Sequence, residues 1–194
     1  MQRYQDLEQF AVPPHFRGRG KVMVQLWWTV QATLFSASPQ FLYGFRRFLL
    51  RLFGAKIGKG VLIRPTARVT YPWFLEVGDH AWIGDDTVLY NLAPIRLGSH
   101  VALAHGVYIC TGFHEIDKPT FDIGAAPVVI EDEAWLANDC FISPGVTVGH
   151  GTVIGARSTV LKDMPAGMVC VGHPCRPVRP RQPGDAAQPT GARP

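Results

Sequence analysis

The residue with the clearest chemical potential in this 194-residue sequence is a histidine at a break in a regular pattern. His114 lies in the segment ICTGFHEIDKPTFDIGAAPVVI, which interrupts a repeat of six residues. A positioned imidazole can take the proton of an attacking hydroxyl, and general base catalysis of this kind contributes about 10² to 10⁴ in rate. The ordinary pKa of histidine, about 6.5, suits this task near neutral pH. Glu115 and Asp117 follow closely, and either carboxylate could orient the imidazole.

The pattern on both sides of His114 predicts a solenoid. Between Ile57 and about Gly167, a Val, Ile or Leu leads each block of six, as in VGDHAW, IGDDTV and IEDEAW, with two-residue slips before Val77 and Leu97. A period of six fits neither an α-helix nor a lone strand. It fits a three-sided coil in which the leading aliphatics point inward and successive coils pair about 4.8 Å apart. So many blocks in phase argue against an ordinary β-sandwich.

The segment before the repeat is predicted to be helical. Residues 21–53 divide into one helix that ends near Ser38-Pro39 and a second, FLYGFRRFLLRLF, that Gly54 stops. Helical spacing places an apolar set on one face of the second helix and its arginines largely away from that face. This predicts a helical cap on the main domain, or a helix on an anionic membrane surface. The apolar set is Phe41, Phe45, Phe48, Leu49 and Leu52, and the arginines are Arg46, Arg47 and Arg51.

Composition and length limit the function classes. A net charge of +4 with no concentrated basic stretch argues against nucleic acid. Four cysteines without CxxC spacing argue against a zinc ribbon or a disulfide framework and favour the cytoplasm. The N-terminus does not resemble a secretory signal. The apolar run VMVQLWWTVQATLF falls short of the roughly 20 residues that cross a bilayer.

The repeat resembles the hexapeptide signature of the left-handed β-helix acyltransferases. The segment IEDEAWLANDCFISPGVTVGHGTVIGARSTVLKDMPAG is similar to the C-terminal half of the galactoside, maltose and nodulation acetyltransferases. The motifs LLRLFGAKIGKGV, CTGFHEID and VGHPCRPVRPR resemble the colanic-acid-type exopolysaccharide O-acetyltransferases more closely. The resemblance implies a mainly β, left-handed parallel β-helix with an N-terminal helical cap. The expected division is an N-terminal extension and cap over 1–55, a β-helix over 56–175 with a projecting loop at 113–129, and a Pro-rich, largely disordered tail over 176–194.

The same resemblance implies a function and a site. It implies a homotrimer that moves an acetyl group from acetyl-CoA to a hydroxyl of a sugar or exopolysaccharide precursor, in active sites between neighbouring prisms. His114 takes the place of the general base, with Glu115 and Asn91 as further catalytic candidates; a simple corner role is the alternative for Asn91. The residues that match cofactor-binding positions are Trp135, Asn138, Gly155, Ala156, Lys162 and Arg179.

Two other interpretations stay open at this point. Trimeric γ-type carbonic anhydrases share the prism and hold zinc with three histidines, and His80, His100 and His105 are candidate ligands here. That interpretation leaves His114 and Trp135 without a role, so we expect no metal, and His80 and His100 are expected to be turn residues at the surface. A non-catalytic solenoid scaffold is the third class. The expected location is cytoplasmic, with possible peripheral membrane contact through residues 21–53.

Overall fold

The computed structural model describes residues 4–182 as a helical cap followed by a three-sided β-helix. Helix α1 spans Lys21–Val30 and continues in a π-helical turn, Gln31–Phe35, while α2 spans Tyr43–Leu52. Short 3₁₀ helices occupy Leu7–Gln9 and Pro72–Phe74. Gly54 ends α2 with a φ of 97°, which confirms the predicted stop. None of the helices in the described part of the chain is long and apolar enough to cross a membrane.

Nineteen strands follow in the described residues, most of them two or three residues long. In chain order they are β1 (Lys56–Ile57), β2 (Leu62–Ile63), β3 (Arg68–Val69), β4 (Leu75–Val77), β5 (Trp82–Ile83), β6 (Val88–Tyr90), β7 (Ile95–Leu97), β8 (Ala102–Leu103), β9 (Tyr108–Cys110), β10 (Gly112–His114), β11 (Ile123–Ala125), β12 (Val128–Ile130), β13 (Trp135–Leu136), β14 (Phe141–Ile142), β15 (Thr147–Val148), β16 (Val153–Ile154), β17 (Thr159–Val160), β18 (Met168–Gly172) and β19 (Cys175–Pro180).

Three parallel sheets form the faces of the prism. Face A is β1-β4-β7-β12-β15, face B is β2-β5-β8-β13-β16-β18, and face C is β3-β6-β9-β14-β17. One strand from each face makes a coil, so β1–β3 form the first coil, β4–β6 the second, β7–β9 the third, β12–β14 the fourth and β15–β17 the fifth. Strand β18 belongs to a partial sixth coil, and β19 pairs with it antiparallel. We name each corner by the faces it joins.

The predicted inward position of the leading aliphatics is confirmed. Ile57, Ile63 and Val69 of the first coil are buried, as are their equivalents in every later coil, including Ile142 and Val160. They stack into one continuous core that runs the length of the prism. Residues at the corners adopt positive φ: His80 and His100 follow one another at the A–B corner, each with φ of 58°. Their rings stack with centroids 5.3 Å apart, which confirms them as turn residues.

Every interruption of the repeat falls at the C–A corner. The two-residue slips before Val77 and Leu97 correspond to the turns between β3 and β4 and between β6 and β7. The long break lies at the same corner one coil later, and β10 and β11 project from it as an antiparallel hairpin. This hairpin covers 112–125 rather than the predicted 113–129, because Val128 already lies in β12 of face A. One corner of the prism therefore collects all the irregular chain.

The orientation of α2 differs from the prediction. Arg46 is completely buried, and Arg47 is partly buried, whereas Phe41, Phe48 and Leu52 are 76%, 57% and 66% exposed. Leu49 is buried as predicted. The helix thus lies on the prism through Arg46, Leu49 and Leu50 and shows Phe41, Phe48 and Leu52 outward, which corrects the predicted facing.

Hydrogen bonding explains this inverted helix. The first coil has no preceding coil to pair with, so carbonyls at its outer edge need other donors. Arg46 donates from Nε to the Ile63 carbonyl at 2.6 Å, and Arg51 donates to the Ile57 carbonyl at 2.7 Å. On the third face, the Trp27 indole N–H donates to the Val69 carbonyl at 2.8 Å. Each face of the prism is therefore capped by at least one side chain from the helices.

The chain after the fifth coil is structured up to Arg181. Strand β19 runs across the expected boundary at 175, and the Arg181 N–H donates to the Gly167 carbonyl at 2.7 Å. The remainder of the predicted disordered tail, 183–194, lies outside the described residues. All four cysteines are free thiols, and burial raises the pKa of Cys170 to about 11.

Replacing the buried arginine should destabilise the fold. Arg46→Met removes donors from the carbonyls of Ile63, Pro39 and Gln40, and a buried unsatisfied group costs about 1–3 kcal/mol. We expect the free energy of unfolding to fall by about 3 kcal/mol, measured by urea denaturation at fixed protein concentration. Phe48→Ser, on the exposed side of the same helix, is the matched control and should stay near wild type. Equal urea midpoints for Arg46→Met and wild type would refute the capping role.

Candidate active site

The hairpin places His114 outside the prism but ties it firmly to the third coil. His114 pairs with Ile123 across the hairpin, and the Glu115 N–H donates to the Asp122 carbonyl at 2.9 Å. At the base, the Ala126 N–H donates to the Thr111 carbonyl at 2.8 Å. The apolar residues Ile123 and Ala125 pack on a small cluster built from the shorter insertions of the same corner. The histidine therefore stands on a supported strand rather than on a free loop.

A backbone carbonyl orients the imidazole. Nδ1 of His114 lies 2.8 Å from the carbonyl oxygen of Phe121. Because a carbonyl only accepts, Nδ1 carries the proton in the neutral ring and Nε2 keeps its lone pair. Phe121 also stacks on the imidazole, with ring centroids 4.1 Å apart and planes 8° apart. Its φ of 51° is unusual for a bulky residue, so the hairpin holds a strained conformation at the point that aims the carbonyl.

The N-terminal segment reaches the same histidine. The Asp6 N–H donates to the Pro119 carbonyl at 2.6 Å, which docks the segment onto the tip of the hairpin. The Phe10 ring then lies 5.8 Å from the His114 ring at an angle of 55°. Two phenylalanine rings thus contact the imidazole, while within residues 4–182 Nε2 forms no hydrogen bond. The open nitrogen is the one that could accept a proton.

Neither predicted carboxylate orients His114. The Glu115 carboxylate pairs with Lys118 at 2.5 Å, and Lys118 also lies 3.4 Å from Asp122. These contacts raise the pKa of Lys118, Glu115 contributing most and Asp122 next. Asp117 is exposed in the turn between these residues. The ring is instead held by the Phe121 carbonyl, so the orienting role of Glu115 or Asp117 is not supported.

Asn91 is a corner residue in this structure. Its side chain is completely buried, its Oδ1 accepts from the Tyr71 N–H at 2.9 Å, and its Nδ2 donates to the Tyr71 carbonyl at 2.7 Å. The amide is therefore used in joining two coils at the C–A corner, beneath the hairpin. This arrangement is the one that the corner alternative expects, and a catalytic role for Asn91 stays a prediction.

A groove of about 760 Å³ runs along face B, beside Trp135. Trp135 is 47% exposed on β13, and Asn138 lines the groove at the adjoining B–C corner. The groove has a charged wall, where Arg64 Nε lies 2.7 Å from Asp85 Oδ2. Burial raises the pKa of Asp85, but hydrogen bonds from Thr66 and Arg64 outweigh it and leave that pKa below its usual value.

Further cofactor candidates lie beyond this groove, toward the C-terminal end of the prism. Gly155 and Ala156 stand at the B–C corner one coil beyond Asn138, since the Arg157 N–H donates to the Asn138 carbonyl. A Cβ on Gly155 would lie 2.6 Å from Cγ1 of Val171, so close packing within the chain already requires a glycine there. Arg179 is exposed on β19, which extends face B.

Lys162 stands apart from the other cofactor candidates. It follows β17 of face C and therefore lies at the C–A corner, the corner from which the His114 hairpin projects. Trp135, Asn138, Gly155 and Ala156 lie on the other side of face C. One chain therefore carries two separate halves of the predicted site, His114 with Lys162 and the Trp135 groove.

The histidines of the zinc interpretation do not converge in this chain. His80 and His100 are at the A–B corner, whereas His105 lines the groove at the B–C corner. Within residues 4–182, no group of three or more His, Cys, Asp or Glu side chains is placed to hold a metal ion.

Comparisons with known proteins agree with the fold and place the chain among acetyltransferases. Residues 127–162 match the family described as bacterial transferase hexapeptide (six repeats). A protein of Escherichia coli K12, WcaF, provisionally named a colanic acid biosynthesis acetyltransferase, is 55% identical over 91% of this chain and 97% of its own length. A maltose O-acetyltransferase from Clostridium difficile 630 is 29% identical with a TM-score of 0.78, over 84% of this chain and 90% of that one.

A third relative was solved with a ligand. It is a hexapeptide-repeat acetyltransferase from Vibrio cholerae in complex with acetyl coenzyme A, 24% identical, with a TM-score of 0.77 over 84% of this chain and 89% of that one. The chain belongs to the hexapeptide-repeat acetyltransferases, and its fold is the left-handed parallel β-helix of that family. It is an acyltransferase, which excludes the non-catalytic scaffold.

Sequence reasoning missed three residues of the site. Phe121 acts through its carbonyl and its φ, and neither property is visible in a side-chain pattern. Phe10 lies in a segment without periodicity, far from His114 in the chain. Arg181 lines the face B groove, where its guanidinium donates to the carbonyls of Glu133 and Gly151 at 3.0 and 2.8 Å. The basic motif RPVRPR contains both Arg179 and Arg181, but the resemblance to known cofactor-binding positions singles out only Arg179.

Proposed function

We propose that this protein transfers the acetyl group of acetyl-CoA to a hydroxyl of a sugar in an exopolysaccharide precursor, with His114 as the general base. The observation that carries the proposal is the imidazole whose Nδ1 is held by the Phe121 carbonyl and whose Nε2 is open. The relatives named above support the donor and the acceptor class: one was solved with acetyl coenzyme A, and others are named for colanic acid biosynthesis and for maltose.

The geometry supports a direct acyl transfer. Nε2 of His114 accepts the proton of the sugar hydroxyl while the hydroxyl oxygen forms a bond to the thioester carbonyl carbon. The tetrahedral intermediate then collapses, the carbon–sulfur bond breaks, and the imidazolium returns its proton to the departing CoA thiolate. The hydrogen bond from Nδ1–H to the Phe121 carbonyl keeps the ring in the reactive tautomer, with the lone pair on Nε2.

Removing the imidazole should abolish the transfer without disturbing the fold. His114→Ala should lower kcat at least about 10²-fold, because it removes the base. A strain that lacks the gene provides the natural acceptor and is complemented with wild type or with His114→Ala. Mass spectrometry of the polysaccharide repeat unit should show the acetyl group only in the strain that carries wild type. Calorimetry should find nearly unchanged CoA affinity. An acetylated repeat with His114→Ala would contradict the role of the base.

We also propose that the active site is completed between two chains of a homotrimer. Within a single chain, the width of face C separates His114 and Lys162 from the Trp135 groove. Packing face C of one prism on face B of the next brings these halves together, and repeating that contact closes a ring. Lys162 and Arg179 then supply cations for the CoA phosphates from different chains.

The surface of the prism supports this use of faces B and C. Face A is charged: Lys56 Nζ lies 2.7 Å from Glu76, and Arg96 Nε lies 3.5 Å from the same carboxylate. Face C instead shows aromatic rings, with Tyr108 and Phe141 stacked at 5.7 Å, and face B shows Trp135. Interfaces bury aromatic residues and deplete charge at their core, so faces B and C suit the contacts and face A suits solvent.

Mixing two inactive variants should restore activity if the site is shared. His114→Ala damages one half, and Trp135→Glu places a charge in the other. In trimers co-refolded from equal amounts, about one site in four combines an intact His114 from one chain with an intact Trp135 from its neighbour. CoA release should therefore recover to roughly a quarter of wild type. Each variant refolded alone is the control, and no recovery in the mixture would place the whole site within one chain.

We further propose that the protein works in the cytoplasm with its helical cap against a membrane. Acetyl-CoA as donor and four free thiols support the compartment. The outward stripe of α2, together with exposed Val22 and Leu26 on α1, supports insertion of apolar side chains at the lipid boundary. Arg46 is buried in the cap, so charge attraction contributes less than the sequence suggested.

Polar replacement of the stripe tests the membrane contact. Phe41→Ser/Phe48→Ser/Leu52→Ser should reduce co-sedimentation with phosphatidylglycerol/phosphatidylcholine vesicles at least about tenfold, since each lost apolar side chain weakens insertion. Binding by wild type should persist at high salt. Leu161→Ser, an exposed apolar position near the opposite end of the prism, is the matched control. Equal pelleting of the triple variant and wild type would refute the contact.

A further inference from the structure

Two exposed tryptophans stand in one row of face B with a small residue between them. Trp82 of β5 pairs in register with Ala102 of β8, and Ala102 pairs in register with Trp135 of β13. All three line the same groove. Trp82 is 61% exposed, more than Trp135. The functional roles assigned above leave Trp82 unused.

The spacing of this row leaves room for one ring. Neighbouring strands lie about 4.8 Å apart, so the backbones that carry the two indoles are roughly 9.6 Å apart. Ala102 contributes only a methyl group to the floor between them. Polar side chains surround the row in the same groove, namely His100, His105, Asp85 and Glu133. An apolar, aromatic floor with polar groups at its rim matches a pyranose, which has a CH face and an edge of hydroxyls.

Height along the prism distinguishes the acceptor from the cofactor. The His114 hairpin leaves the prism between the third and fourth coils, so the reacting thioester lies at that level. The cofactor candidates lie from the fourth coil onward: Asn138 in the fourth, Gly155 in the fifth, and Arg179 beyond it. Trp82 lies in the second coil, on the other side of the reacting level. A threefold axis parallel to the prisms keeps these levels the same in every chain.

We infer that Trp82, Ala102 and Trp135 form an acceptor subsite that holds one pyranose ring of the sugar substrate. This inference rests on the proposed function, since the level of the reacting carbonyl comes from His114. CoA runs from Trp135 toward the C-terminal end, and the sugar occupies the groove from Trp135 toward the helical cap. Trp135 then lies at the junction of the two substrates.

Variants of the row test the inference by separating the two substrates. Methyl pyranosides of glucose, galactose and fucose serve as probe acceptors, with free CoA thiol as the readout. Trp82→Ala should raise the acceptor KM about tenfold or more, as expected for the loss of a stacking partner worth roughly 1.4 kcal/mol, and leave the KM for acetyl-CoA within about twofold. Ala102→Leu should have the same effect by filling the floor. Trp82→Phe, which keeps a ring, should stay within about threefold of wild type.

Binding measured without catalysis separates this inference from the proposed function. Saturation-transfer NMR should show contact between the pyranoside ring protons and wild type, and a loss of that contact with Trp82→Ala. Sugar binding without any acetyl transfer would overturn the proposed function and leave the subsite standing. A raised KM for acetyl-CoA in Trp82→Ala, dissociation of its oligomer, or no sugar contact with wild type would each overturn the subsite.

Discussion

The open edge of the first coil is the constraint on which the rest of the molecule depends. Internal coils pair on both sides, but the first coil has carbonyls that face no neighbour, and a buried carbonyl without a donor is costly. Three carbonyls, one per face at Ile57, Ile63 and Val69, receive donors from Arg51, Arg46 and Trp27. The helical cap therefore supplies hydrogen-bond donors as well as the buried apolar side chains Trp27, Phe35, Leu49 and Leu50. The donors turn Arg46 and Arg47 toward the prism, while Phe41, Phe48 and Leu52 stay exposed.

The C–A corner meets a second requirement, which is to support a long excursion from a regular scaffold. A strict six-residue repeat has no place for a long excursion, and here the irregular chain is stacked at one corner. Asn91 joins the second coil to the first through both ends of its amide, and Thr111 continues the column by donating its hydroxyl to the Tyr90 carbonyl at 3.0 Å. The hairpin with His114 rises from this column. The imidazole is consequently held by backbone groups and rings, which are rigid, rather than by a charged side chain.

The sequence predicts a residue's place well where that place follows from periodicity. It does not predict which way a helix face or a carbonyl group points. The inward aliphatics, the helix stop at Gly54, the corner histidines and the break at His114 could all be predicted, because spacing determines them. The orientation of α2 could not be predicted, since the carbonyl groups that surround Arg46 come together only when the chain has folded. The orienter of His114 could not either, because a carbonyl belongs to every residue and only the φ of Phe121 aims this one. Asn91 and Lys162 show the same limit: a matching motif locates a residue in the chain but not on a corner or a face.

The hairpin has a consequence for how this scaffold can change. Strands β9 and β12 each pair with neighbouring coils on both sides, so the coils stay in register whatever the connection between β9 and β12 contains. The entropy of closing a longer connection grows only with the logarithm of its length. Insertions or deletions in this connection should thus be tolerated by the prism, so the loop around the hairpin can change in length without loss of the fold. The regular prism and the projecting hairpin can therefore change independently of each other.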